Sequence, residues 1–216
     1  MKRMLMTSAV LAVLGTPASA LTGAPFIFQP FDIGSARSLP WSALNNFLGI
    51  RDEYDFHRVV ADTAALLTPA TPTLVRMETL RRATVYASRD RKVAEELVDF
   101  VIGRITRLEA PGPPEPIAVF DAGFVVEAFN ELQQYSAGSK VFWGLDRSIV
   151  GITRPFNGRA LLEQSAALRP NDASIQFALA LVVPTEPSEP YLLKARAGAR
   201  EDALLANNLA RLQLLQ

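Results

Sequence analysis

Apolar residues recur at three- and four-residue steps through most of the chain, which is the period of an α-helix. The clearest example is residues 91–108, where one face carries Val93, Leu97, Val98, Val101, Ile102, Ile105 and Leu108. Strict alternation of apolar and polar residues, which is typical of a half-buried β-strand, does not stand out anywhere. The pattern therefore predicts an all-α fold, built either from antiparallel helix pairs or as an irregular helical bundle.

Nine helices are predicted, separated by turns rich in proline, glycine and small polar residues. They cover residues 41–48, 52–67, 73–88, 91–108, 117–135, 158–168, 172–183, 191–198 and 201–215. Residues 140–154 fit either a buried helix or a strand, and we favour a helix. The proline-rich stretch 110–116 is the strongest break, so we treat 41–216 as one helical domain with a candidate sub-boundary there.

Residues 21–40 are predicted to be extended rather than helical, because prolines interrupt them at positions 25, 30 and 40. The segment also carries four large apolar side chains: Phe26, Ile27, Phe28 and Phe31. Exposed aromatic side chains are costly in water. We therefore expect the segment to dock on the body of its own protein, and docking on a partner is the alternative.

The first 20 residues have the three parts of a secretory signal peptide. Lys2 and Arg3 supply a positive start, residues 5–14 form a short apolar run, and Ala18 and Ala20 place small side chains at a cleavage site. An apolar run of this length falls short of the roughly 20 residues that span a membrane, and no later run approaches that length. We expect cleavage after Ala20 and a periplasmic or secreted protein.

Composition narrows the class of protein. The chain has no cysteine, which excludes disulfides, thiol chemistry and a lipid anchor at the cleavage site. It carries 22 basic and 22 acidic residues, so no overall charge favours nucleic acid as a partner. A hydrophobic content of 49% argues against disorder.

One stretch resembles a known family. Residues 158–183 are similar to the junction between two tetratricopeptide repeats, with Gly158, Leu162, Ser165, Leu168, Pro170, Leu179 and Ala180 at the matching steps. Ser165 stands where the family usually has alanine, and Leu162 where it usually has an aromatic residue. The resemblance implies stacked helix pairs whose concave surface binds a protein or peptide.

Candidate chemistry is sparse. The only histidine, His57, follows the acidic residues Asp52, Glu53 and Asp55. Zinc needs three or four ligands and a calcium-loop spacing is missing, so we interpret the cluster as an acidic helix start. The carboxylates of Glu95, Glu96 and Asp99, and the pair Glu127 and Glu131, are interpreted as solvated helix faces.

The most polarised stretch is basic and consists of Arg76, Arg81, Arg82, Arg89, Arg91 and Lys92. We interpret it as solvated helix positions, with an anionic partner as the alternative. No serine or cysteine nucleophile motif and no phosphate-cradling loop is present. No catalytic, cofactor-binding or metal-ligating residue is therefore assigned, and no cofactor.

These patterns favour an exported, non-catalytic helical protein that binds a protein or peptide partner in the cell envelope. The alternative is a hydrolase-like enzyme whose site is assembled from scattered carboxylates and His57. The sequence specifies neither the partner nor the oligomeric state.

Overall fold

A computed structural model describes residues 26–42, 49–107, 115–136, 145–182 and 188–214. Within these ranges the chain forms eight α-helices and three short 3-10 segments, and no β-strand occurs among them. The predicted all-α fold is confirmed. The expected signal peptide, most of the helix expected at 41–48 and the break at 110–114 lie outside the described residues.

Six of the eight helices begin and end within two residues of their predicted bounds; α1 and α8 are the exceptions. They are α1 (Val59–Leu66), α2 (Thr73–Ala87), α3 (Arg91–Arg107), α4 (Pro116–Ser136), α5 (Gly158–Leu168), α6 (Ala173–Val182), α7 (Glu189–Gly198) and α8 (Ala203–Arg211).

Helices α1 and α8 are shorter than predicted. In both, a capping aspartate determines where the helix begins, and α8 also ends early. Asp55 accepts the backbone N–H of His57 and begins a 3-10 turn at 56–58, so α1 starts only at Val59. Asp202 caps α8 by accepting the N–H of Leu205. After α8, Gln213 adopts a left-handed backbone with φ of 57°, which stops the helix.

The helix predicted at 140–154 is wrong over its described part, 145–154. Asp146 caps a single 3-10 turn at Arg147–Ile149, and further turns follow. Gly151 has a φ of 88°, which a right-handed helix cannot accommodate. The cap at Asp146 and the turn at Gly151 therefore determine the local structure, although the apolar residues of this stretch also fit a helix.

Helix α4 lies at the centre and packs against α2, α3 and α5. It contacts α5 through paired glycines: a Cβ on Gly158 would lie 2.8 Å from the carbonyl oxygen of Gly123. Only glycine permits that approach. The aromatic side chains of Phe120, Phe124 and Phe129 are fully buried on α4.

Helix α2 is buried almost all round, since every residue except Arg82 is buried. Its polar side chains cannot therefore form a solvated face. The reason is that residues 26–40, which we call the strap, pack over the side of α2 that the sequence pattern assigns to solvent.

Candidate functional site

The strap is held in the core by large apolar side chains. Phe26 and Ile27 are buried, and the Phe26 ring lies 5.2 Å from the ring of Phe124 on α4. Phe31 sits 6.4 Å from Phe124 and 6.0 Å from Phe177 on α6, measured between ring centroids. The expected docking of this segment on its own body is confirmed for residues 26–40.

Side chains of the body also bind the strap through its main chain. Glu131 on α4 accepts the N–H of Phe26 at 3.2 Å and that of Ile27 at 2.8 Å. Arg81 on α2 donates to the Ile27 carbonyl oxygen at 3.0 Å. Both polar groups of the Ile27 backbone are thus bound by charged side chains from two different helices.

Further along the strap, Glu78 on α2 accepts the N–H of Phe31 at 2.9 Å. Asn208 on α8 accepts the N–H of Asp32 and donates to the Asp32 carbonyl oxygen, both at 2.8 Å. An amide side chain that binds the N–H and the carbonyl of one residue does not depend on the side chain of that residue. The body therefore recognises main-chain groups of the strap from residue 26 to residue 32. The expected extended conformation is wrong at Phe26–Phe28, which form a 3-10 turn.

The second half of the strap is bound in the same way. Arg82 donates to the Leu39 carbonyl oxygen at 2.6 Å, and the Tyr86 hydroxyl donates to the Pro40 carbonyl oxygen at 2.8 Å. The Arg81 guanidinium lies 4.6 Å from the Trp41 ring centroid, within cation–π range.

Two buried carboxylates bind the strap, and their pKa values are shifted in opposite directions. Glu78 is fully buried, and although burial opposes its ionisation, the guanidinium groups of Arg81 and Arg82 hold its pKa below the usual value. Burial raises the pKa of the Glu131 carboxyl to about 7, and the backbone N–H groups of Ile27 and Phe26 only partly offset this effect. Ionised Glu131 is thus less well stabilised than ionised Glu78.

An open groove of about 670 Å³ adjoins the strap at residues 33–36. Its other walls are the turn before α2, the α5–α6 corner and the start of α8. The lining residues are Ile33, Gly34, Ser35, Ala36, Pro69, Ala70, Thr71, Pro72, Thr73, Leu74, Val75, Arg169, Asp172, Ser174, Asp202 and Leu204.

The charged side chains of the groove are largely occupied by structural contacts. Asp172 accepts the Thr73 hydroxyl at 2.9 Å and the N–H of Ser174 at 3.1 Å, and Arg169 lies 3.3 Å from the same carboxylate. Asp202 caps α8. The groove therefore presents mostly small apolar and hydroxyl side chains to an occupant.

A buried charge cluster fixes one wall of this groove. Arg76 donates to the carbonyl oxygens of Thr68 and Thr71, which belong to the turn before α2. It also lies 2.7 Å from the carboxylate of Asp121 on α4, which Arg104 approaches at 2.6 Å. The second oxygen of Asp121 has no hydrogen-bond partner in the described ranges.

Several sequence interpretations need correction. Arg76 and Arg81 are fully buried and Arg82 is largely so, because they bind carbonyl oxygens and carboxylates inside the protein. The basic stretch is therefore not a solvated surface over these three positions. Glu127 and Glu131 do not form a solvated face either: Glu127 accepts the N–H of Arg159 at the start of α5, and Glu131 holds the strap.

The enzyme alternative gains no support from the geometry. His57 lies exposed at the surface, outside the groove, with its ring 4.2 Å from the Phe56 ring. In the part of the chain that the structure describes, no group of three or more His, Asp or Glu side chains is placed to hold a metal ion. Glu96 and Asp99 lie on the exposed side of α3, as expected, and Glu95 is half-exposed in an ion pair with Arg91.

Comparison with known proteins gives no family for the chain: no family model, no curated protein and no solved structure matches it. Among the helices described, none is both long enough and apolar enough to cross a membrane.

Sequence reasoning missed Glu78, Glu131 and Asn208 as strap-binding residues. One signal was available for Glu131, which belongs to a helix whose other residues from 117 to 132 are mostly apolar. A carboxylate surrounded by buried positions needs hydrogen-bond donors from elsewhere in the chain. Nothing in the sequence marks Asn208, because it lies beside the similar Asn207.

Proposed function

We propose that this chain is an exported, non-catalytic helical protein that binds an extended segment of a protein partner in the cell envelope. The export part rests on the signal-like residues 1–20. A tetratricopeptide-like arrangement of helix pairs remains part of the proposal and rests on residues 158–183.

The observation that carries the proposal is the way the body holds its own strap. Side chains on three helices, Glu131, Arg81, Glu78 and Asn208, hydrogen-bond to the strap main chain. Main-chain recognition of an extended segment, combined with pockets for large side chains, is a general mode of peptide binding. The helical body thus already has the chemistry of a peptide-binding protein.

The open groove beside residues 33–36 is the place where a partner segment would lie. Its volume of about 670 Å³ falls within the range of ligand pockets, and residues 33–36 of the strap form one of its walls. Its small lining residues, such as Ala36, Ala70 and Ser35, leave room for side chains of the partner.

A crosslinking pull-down from envelope extract tests the proposal with a matched pair of variants. Ala70 and Ala160 are both exposed, but only Ala70 lines the groove. We expect Ala70→Arg to abolish capture of a specific partner that wild type and Ala160→Arg both retain. Equal capture by all three proteins would show that the partner binds outside the groove. Turnover of a hydrolase substrate panel by the purified protein, without specific capture, would reject the proposal.

A further inference from the structure

We propose that the surface under the strap is itself a binding site for an extended partner segment, which displaces residues 26–33 and inserts two large apolar side chains in place of Phe26 and Phe31. We call this surface the strap channel; Glu78, Arg81, Phe124, Glu131, Phe177 and Asn208 form it. The inference rests on the proposed function and specifies the class of partner: an aromatic-rich segment with uncharged side chains at the positions of Phe26 and Phe31.

The polar contacts of the channel are transferable from the strap to another chain. Over residues 26–32, Glu131 and Glu78 accept hydrogen bonds from main-chain N–H groups, and Arg81 donates one to a main-chain carbonyl oxygen. Asn208 likewise binds both main-chain groups of Asp32. Any segment that follows the same path offers the same donors and acceptors, provided that it has no proline where an N–H group is bound.

The apolar contacts determine which segments fit. The rings of Phe26 and Phe31 pack on Phe124 and Phe177, and Ile27 is completely buried. Leaving these positions empty would create cavities, which cost several kcal/mol in proteins. An occupant must therefore supply large apolar side chains with the same five-residue separation, and a charged side chain there would be desolvated without a partner.

The strap is held by long-range contacts rather than by secondary structure of its own. The strap forms only a 3-10 turn at Phe26–Phe28 and a turn around Gly34, with backbone hydrogen bonds from the N–H of Gln29 to the carbonyl of Phe26 and from the N–H of Ala36 to the carbonyl of Ile33. Its anchor at Glu131 is a carboxylate that burial makes costly to ionise. Displacement thus exchanges one set of tertiary contacts for an equivalent set and does not unfold an α-helix.

The strap then acts as an intramolecular competitor for the channel. The apparent affinity of a partner segment equals its intrinsic affinity multiplied by the fraction of molecules with an open channel. A change that weakens only the strap raises that fraction and tightens partner binding, whereas a change elsewhere on the surface does not.

The test titrates a fluorescent peptide with the strap sequence FIFQPFDI (residues 26–33) onto purified full chain. We expect Phe31→Ala to bind it at least about 10-fold more tightly than wild type, since the variant strap loses its ring contacts and the peptide keeps them. Phe31→Leu, which loses less volume, gives the same direction of change and covers the case in which Phe31→Ala does not fold. Leu193→Ala, at an exposed position on α7, serves as the matched control and binds like wild type.

A second peptide, which carries aspartate at positions 26 and 31 and keeps Phe28, is expected not to bind. With wild type, saturating FIFQPFDI is expected to speed hydrogen exchange at the amides of Phe26, Ile27 and Phe31 of the protein. Equal binding of the two peptides, or no binding by a folded strap variant, overturns the inference. A dimer formed by Phe31→Ala that leaves the peptide unbound assigns the channel to a second copy and also overturns it.

These outcomes are separable from those of the groove experiment. If the peptide fails to bind but partner capture still depends on Ala70, only the strap-channel inference is rejected. If the peptide binds but capture does not depend on Ala70, the open groove is rejected as the partner site.

Discussion

Asn208, on the last helix, holds both main-chain polar groups of Asp32, with each hydrogen bond 2.8 Å long. The two residues are 176 positions apart in the sequence, so the strap joins the N-terminal part of the fold to α8. Asn208 is itself buried. Because two hydrogen bonds converge on one buried amide, this side chain contributes more to stability than a surface asparagine does.

We predict that Asn208→Ala lowers the free energy of unfolding by about 2 kcal/mol, because it leaves the N–H and carbonyl of Asp32 without partners. Asn207→Ala is the matched control. Asn207 makes only a 3.4 Å contact with the Asp32 carboxylate at the surface, so its loss costs less than about 0.5 kcal/mol. Urea denaturation of the two variants measures the difference. Equal losses would contradict the assigned role of Asn208.

The pH dependence of stability follows from Glu131. Its pKa is about 7 in the folded protein against the ordinary value of 4.5, so folding favours the protonated form. The stabilisation is complete below pH 4.5 and is lost as the pH rises through 7. We predict that the free energy of unfolding falls by at most about 3 kcal/mol between pH 5 and pH 8. Burial also raises the pKa of Glu127, which acts in the same direction.

Glu131→Gln tests this assignment, because glutamine keeps the shape of the side chain and does not titrate. The variant is expected to show a flatter dependence of unfolding free energy on pH between 5 and 8 than wild type. Glu78, whose pKa is lowered, affects stability only at more acidic pH and leaves this window unchanged. An unaltered pH profile in Glu131→Gln would show that another group causes the dependence.

How much of the molecule the sequence predicts depends on the range of the interactions. Helix α5 matches its predicted bounds, 158–168, because its period and its cap at Asn157 are local. The roles of Glu78 and Arg81 were not predicted, since their spacing on α2 is also that of a surface ion pair. Only the strap, which returns over α2 from a distant part of the chain, makes them internal.

In the groove, too, the local turns were predicted from the sequence and their arrangement in space was not. Its turns at Pro69–Pro72 and Arg169–Asp172 were predicted from proline and capping signals, and both now form its walls. Their proximity was not predicted, because it depends on α2, α6 and α8 meeting at their first turns. No local pattern encodes the meeting of helix ends that are about 100 residues apart, as the 99-residue separation of Thr73 and Asp172 illustrates.

The buried charge cluster offers a stability prediction of its own. Arg76→Ala removes one of the two guanidinium partners of Asp121 and frees the turn at Thr68 and Thr71. We predict a loss of about 3–5 kcal/mol, which is typical when one partner of a buried ion pair is removed. Arg91→Ala is the control, because its pair with Glu95 is solvent-exposed, and a loss below about 1 kcal/mol is expected. Thermal or urea denaturation of both variants gives the comparison, and similar losses would contradict the structural role of Arg76.

Site-specific photocrosslinking in cells tests most directly whether the groove binds a partner segment. A photoreactive residue is placed in turn at Ser35 and Ala70, which line the groove, and at Lys92 and Ala160, which are exposed elsewhere. We predict that the two groove positions crosslink to one and the same envelope protein and that the two outer positions do not. Crosslinks from Lys92 and Ala160 to that protein, with none from Ser35 and Ala70, would contradict the proposed function.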